Sequence, residues 1–116
     1  MPNIFNGKDK DGHTVVCSRD WWEKHIISRH PEVVDWLAHI QTAINDPYQV
    51  YQDRTNLNRK IYYRPFILPA PFSTQYLRIA IQYKQKISGQ ITGFIVTAFP
   101  CSNIKEGDIL IWQRPL

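Results

Sequence analysis

Sulfur, glycine and long apolar runs are all scarce in this chain. Its 116 residues hold two cysteines, Cys17 and Cys101, and one methionine. A disulfide-stapled extracellular framework uses more cysteines, so the expectation is two reduced thiols in a cytoplasmic protein. No apolar run approaches the ~20 residues of a membrane-spanning helix. The first residues lack the charged-then-apolar layout of a secretion signal. The five glycines form neither a phosphate-cradling loop nor a Gly-x-Ser-x-Gly elbow, which leaves nucleotide-triphosphatase and α/β-hydrolase chemistry without a motif. No cluster of cysteines and carboxylates has metal-ligand spacing, and His25 and His30 are not an i, i+4 pair, so neither metal nor cofactor is expected. Internal repeats and low-complexity tracts are missing too.

What remains is an ordinary globular composition: 43% hydrophobic, 13% aromatic and 21% charged. At this length one domain can bury a core unaided, and residues 1–116 read as a single unit, with 1–11 loosely ordered. The formal charge is +4, compatible with a nucleic-acid partner without requiring one.

The densest chemistry lies in residues 21–32, where Trp21, Trp22, Lys24, His25, Arg29, His30 and Glu32 crowd together. Asp20 and Glu23 have the spacing of a capping box, so a first helix is expected to start near Trp21. Pro31 ends it and suits the first turn of a second helix. Val33, Trp36, Leu37, Ile40 and Ile44 then recur at helical spacing, until Asn45-Asp46-Pro47 stops the run. His25 and Arg29 share a face of the first helix. His30 sits at the corner, where the bend can swing it back toward His25. There the positive end of the second helix disfavours its imidazolium, while Glu32 works in the opposite sense.

The rest reads as strands: 13–17 before the helices, then 49–52, 59–64, 75–84, 91–99 and 107–112. Residues 53–58 make a polar turn, and Pro65, Pro69 and Pro71 an irregular loop. In 75–84, Leu77, Ile79, Ile81 and Tyr83 alternate with Tyr76, Arg78, Ala80, Gln82 and Lys84. The run 91–99 is the most apolar and is expected at the sheet centre. The fold class is α+β, with two short helices on one face of an antiparallel sheet. Arginines beside aromatics (Tyr62, Tyr63, Arg64, Arg78, with Lys84 nearby) suit a nucleic-acid strand, because guanidinium binds phosphate and rings stack on bases. They also suit packing on half-exposed strands.

The string Trp22-x-x-His25-Ile26-x-x-Arg29-His30-Pro31-Glu32, with Ala43-Ile44-x-Asp46-Pro47 closing the second helix, resembles a phage and bacterial nuclease-like family. That family belongs to the barnase, EndoU, colicin and RelE-like (BECR) group. Tyr62-Tyr63-Arg64, Leu77-Arg78-Ile79-Ala80-Ile81, Thr97-Ala98-Phe99 and the closing Gly107-x-x-x-x-Trp112 are similar to its later landmarks, with Phe99 where the family has tyrosine. The resemblance covers residues 12–113. It implies two helices on a four- to five-stranded antiparallel sheet, and metal-independent RNA cleavage by attack of a 2′-hydroxyl, leaving a 2′,3′-cyclic phosphate. The residues it marks as catalytic are His25, Arg29, His30, Arg64 and Thr97. Substrate contacts fall to Trp21, Tyr62, Tyr63, Arg78 and Lys84. The implied partners are RNA and, for a toxin of a toxin–antitoxin or phage-conflict system, a cognate antitoxin or immunity protein. A non-catalytic nucleic-acid- or protein-binding module on the same scaffold is the alternative.

Overall fold

Residues 2–115 are described by a computed structural model. Among these residues seven strands form one mixed sheet: β1 (Asn3–Lys8), β2 (Thr14–Ser18), β3 (Gln49–Gln52), β4 (Arg59–Pro65), β5 (Tyr76–Gln85), β6 (Ile91–Cys101) and β7 (Ile109–Gln113). Their order across the sheet is β1-β2-β6-β5-β4-β3-β7. The class is α+β, as expected, but a sheet of four or five antiparallel strands is corrected to seven mixed ones. Five consecutive neighbours, β6 through β7, are antiparallel. The β1–β2 hairpin is added through a parallel pairing of β2 with β6. Residues 1–11, expected to be loosely ordered, contain β1. β5, not the more apolar β6, is the central strand. Among the described residues no helix is long and apolar enough to cross a membrane.

The helical part is more broken than its sequence period suggests. Ser18, not Asp20, caps the first helix, its hydroxyl accepting from the Trp21 N–H at 3.1 Å. Glu23 lies 3.9 Å from Arg19 instead of reaching back to the cap. The α-helical portion, α1, is Arg19–Trp21 alone, and Trp22–Ile26 continues as a wider π turn closed by Ile27 N–H donating to the Trp22 carbonyl. Such turns hold more residues per revolution than an α-helix, which changes which side chains stack. Pro31 opens a 3₁₀ turn, Pro31–Asp35, and α2 runs only from Leu37 to Asn45.

Trp22, Ile26, Val33, Trp36, Ile40, Ala43 and Ile44 pack with Val15, Cys17, Leu77, Ile79, Ile81, Ile95 and Ala98 in the main core. The alternation of β5 falls as expected, with Leu77, Ile79, Ile81 and Tyr83 toward the helices. Gly7 lets α2 approach β1: a Cβ there would collide with Gln41, whose amide donates to the Lys8 carbonyl at 3.0 Å. The Lys10 ammonium reaches over the Trp112 ring at 4.8 Å, so the β1–β2 turn meets β7 although the two lie at opposite ends of the strand order. The sheet therefore curls around its helices.

Polar groups on the covered face are paired. Tyr62 donates to Tyr83 at 2.6 Å, and Tyr83 donates to the buried Asp9 carboxylate at 2.7 Å. Asp9 also accepts from the Asp11 and His13 N–H groups at 2.9 Å each. Burial pushes both tyrosine hydroxyls well above the usual phenol range. Both cysteines are free thiols, and burial pushes Cys17 up to about 12.

Candidate functional site

The other face of the sheet is covered only in part. Around Ile61, Tyr63 and Ala80 a second small core forms, closed by Ile104 from the segment before β7. Beyond it Arg78, Gln82, Lys84, Phe94, Thr97 and Phe99 carry the open face across β5 and β6. A bulge shapes this region. Thr97 faces Ala80 and Ile95 faces Ile81, so Val96 has no partner on β5. The bulge brings Val96 and Thr97 side by side onto the open face, since Val96 packs with the small core while Ile95 stays in the main one.

The bulge is also where the first histidine is anchored. The Trp21 indole N–H donates to the Val96 carbonyl at 3.0 Å. His25 stacks on that indole, with ring centroids 4.0 Å apart and planes 29° apart. The helical path explains the stack, because residues four apart lie on the same face one turn from each other.

The second histidine lands three residues further along β6. The chain leaves the π turn through hydrogen bonds from the Arg29 and His30 N–H groups to the Ile26 carbonyl. His30 then adopts a non-helical conformation ahead of Pro31. Its imidazole stacks on Phe99, centroids 4.6 Å apart and 20° between planes. Glu32 sits 3.5 Å from its Nδ1. Because α2 does not begin until Leu37, His30 does not stand at an α-helix N-terminus, and the expected dipole effect is reduced to that of a single 3₁₀ turn. Three residues of strand set the Val96 and Phe99 anchors roughly 10 Å apart.

Phe99 also meets a cation. The Arg78 guanidinium is 5.3 Å from the Phe99 ring centre and 6.0 Å from that of Tyr63. Its Nε donates to the Tyr63 hydroxyl at 3.1 Å, which also accepts from the Lys105 N–H at 3.3 Å. Tyr63 is itself fully buried, so it holds Arg78 and cannot meet a ligand. At the other end of the face Lys84 lies 5.5 Å over Phe94.

Trp21, His25, His30, Arg78, Lys84 and Thr97 thus converge on one face or its rim. Arg29 is exposed on the turn between the two histidines. Two expected residues lie elsewhere. Tyr62 points to the covered face and is 0% exposed, because neighbours on a strand alternate sides. Arg64 is committed to the end of α2, donating to the Asp46 carbonyl at 2.8 Å and to its carboxylate at 3.1 Å. Arg114 joins it on the same carboxylate at 2.7 Å. Both arginines cap the helix C-terminus, where cations are favoured. Gln82, Phe94 and Phe99 are not among the expected site residues: the alternation of β5 puts Gln82 on the face of Arg78, but only the β6 bulge brings both Phe94 and Phe99 there.

Among the described residues no group of three or more His, Cys, Asp or Glu side chains gathers as a metal site. Comparison with family models, curated proteins and solved structures gave no match. The geometry must therefore speak alone. It offers two imidazoles with ring nitrogens available for proton transfer, a guanidinium, a threonine hydroxyl, and exposed rings beside a lysine. That set can bind a phosphodiester and move protons at its oxygens.

Proposed function

We propose that the protein is a metal-independent endoribonuclease, with the site on the open face between the Val96 and Phe99 anchors. One observation carries the reading: two histidines, one on the π turn and one at the bend before Pro31, are each stacked on an aromatic ring fixed to the same strand, on either side of Thr97. In this mechanism His30 is the base. Glu32 on its Nδ1 side favours the tautomer that leaves Nε2 free to take the proton of a ribose 2′-hydroxyl. The 2′-oxygen attacks the adjacent phosphorus, the bond to the 5′-oxygen breaks, and His25 returns a proton to that oxygen. Arg78 and Arg29 balance the charge gathering on the phosphoryl oxygens, and the Thr97 hydroxyl donates to one of them. The products are a 2′,3′-cyclic phosphate and a 5′-hydroxyl. RNA is required because the nucleophile is its 2′-hydroxyl.

Support for a BECR-type fold comes from two short helical segments packed on the run of antiparallel strands β6-β5-β4-β3-β7. In that reading the β1–β2 hairpin is an addition. Phe99 supplies the platform for His30, a role that needs the ring of the family's tyrosine and not its hydroxyl. The test is incubation with single-stranded RNA in EDTA, followed by end-group analysis. Cleavage with cyclic-phosphate ends, lost in His25→Ala and His30→Ala, is the expected result; intact RNA, or normal cutting by both variants, rules the reading out.

A second reading has an observation of its own. The cation–aromatic pairs Arg78–Phe99 and Lys84–Phe94 suit a surface that holds a single strand without cutting it. In that case RNA binds in a salt-dependent manner and remains whole, and expression does not arrest growth as an active nuclease would.

A further inference from the structure

Beside His25 the open face is not flat. A cavity of about 380 Å³ opens there, lined among others by Asn3, Trp21, Gln82, Lys84, Phe94 and Val96. Trp21 and Phe94 are 39% and 41% exposed, two large rings presented to solvent in the lining of one concavity. The indole is already ordered, held by its hydrogen bond to the Val96 carbonyl and by the stack on His25. A ring fixed in advance loses little entropy when something stacks on it. The Lys84 ammonium rests over Phe94, which places a positive charge at the rim.

Gln82 adds direction. Its side-chain oxygen accepts from Asn56 Nδ2 at 2.9 Å and from Arg59 Nε at 3.2 Å. Both partners are donors, so the oxygen end of the amide is fixed. Its NH₂ group is left without a partner among the described residues. Two of the polar groups with capacity to spare at this wall are donors, the Gln82 amide and the Lys84 ammonium; the Asn3 amide beside them can donate or accept. A flat ring carrying carbonyl acceptors, attached to an anionic backbone, matches apolar walls with donors at the rim. A lipid tail would leave those donors unpaired, and a free phosphate would leave the rings unused.

We infer that this cavity is a nucleobase subsite, in which one base of a bound single strand packs against Trp21 and Phe94 while Lys84 meets its phosphate. The inference rests on the reading that the open face binds RNA, and it adds the position and chemistry of base recognition. The subsite adjoins His25, so it holds the nucleotide next to the scissile phosphate and sets the strand's register.

The test uses a strand that cannot be cut by this mechanism, hexathymidylate with 2′-deoxyribose throughout, titrated into the intact protein while tryptophan fluorescence is read. Binding should quench the signal, and Trp21→Phe, which keeps a ring to stack on, should bind with most of the quench gone. Phe94→Ala should weaken binding roughly tenfold, the scale of one lost base–aromatic stack. An abasic hexamer should lose at least as much on the wild-type protein. Lys84→Ala should flatten the dependence of log Kd on log salt by about one phosphate contact. Phe94 is solvent-exposed and its replacement leaves the core intact; a circular dichroism melt of each variant confirms this. Equal binding by wild type and Phe94→Ala, or by the abasic and thymidine strands, overturns the subsite, as does failure of the hexamer to bind. If RNA is never cut but Phe94-dependent binding holds, cleavage fails and the subsite stands. If RNA is cut and Phe94→Ala leaves KM unchanged, cleavage stands and the subsite falls.

Discussion

The two faces of the sheet grow from the same alternating strands and end in opposite states. On the helix-covered face Tyr62, Tyr83 and Asp9 form a closed chain of hydrogen bonds, and Trp22, Ile26, Ile40 and Ile44 fill the space above. Each of these groups has its partner within the fold. On the open face Arg78 has one hydrogen bond, to Tyr63, and two aromatic neighbours. Thr97, Lys84, His25 and His30 retain polar capacity toward solvent. Burial with complete pairing makes stability. Exposed cations on ordered rings make a surface with something left to bind.

If that division is right, substitutions on the two faces should separate activity from stability. The largest effect is expected at His30. Replacing it with alanine should lower RNA cleavage by about 10²–10⁴-fold, the usual weight of one general acid–base group. The melting temperature should move little, because His30 rests on the surface ring of Phe99. Trp22→Ala attacks the covered face and should cost about 3–5 kcal/mol in a denaturant titration, with cleavage per folded molecule unchanged. Asp9→Ala comes next. It strands the Tyr83 hydroxyl and two backbone N–H groups, and should cost about 2–3 kcal/mol, again without touching cleavage. Arg64→Ala separates the sequence expectation from the structure. If the residue only caps α2, the loss is about 1 kcal/mol of stability and the cleavage rate holds. A large fall in rate without destabilisation would return Arg64 to the site.

Alkaline pH gives a gentler version of the same contrast. The Cys17 thiol ionises near 9 when unfolded but is pushed up to about 12 by burial in the fold. Between those values the unfolded chain has released a proton that the folded chain keeps, so stability falls as pH rises from about 9 toward 12. Tyr62 and Tyr83 act in the same direction. Cys17→Ala should reduce the slope of unfolding free energy against pH over this window, and an unchanged slope would show that the covered face does not hold the thiol protonated.

The strands were legible in the sequence because their period of two is strong, and β3, β4 and β5 fall within a residue or so of where the alternation places them. The helices were less so. An apolar stripe cannot distinguish an α-helix from α, π and 3₁₀ turns in series, which bury the same side chains with different backbone bonds. β1 was missed because Asn3, Asn6 and Gly7 disfavour strands, and only pairing with β2 overrides them. The bend before Pro31 and the separation of His25 from His30 could be read from the proline. That Trp21 and Phe99 would receive the two rings could not, since both contacts depend on the β6 bulge. Arg64 shows the converse: its neighbours in sequence pointed to phosphate, and its neighbours in space are the Asp46 carboxylate and a helix end.

The central claim is that the open face between Val96 and Phe99 cuts RNA through a ribose hydroxyl. The most direct measurement is cleavage, in EDTA, of a deoxyribose oligonucleotide containing one ribonucleotide. The account predicts a single cut on the 3′ side of that ribonucleotide, leaving a cyclic phosphate, with His30→Ala inactive and still folded. Cleavage at other positions, equal cleavage of the all-deoxy strand, or an active His30→Ala protein would contradict it.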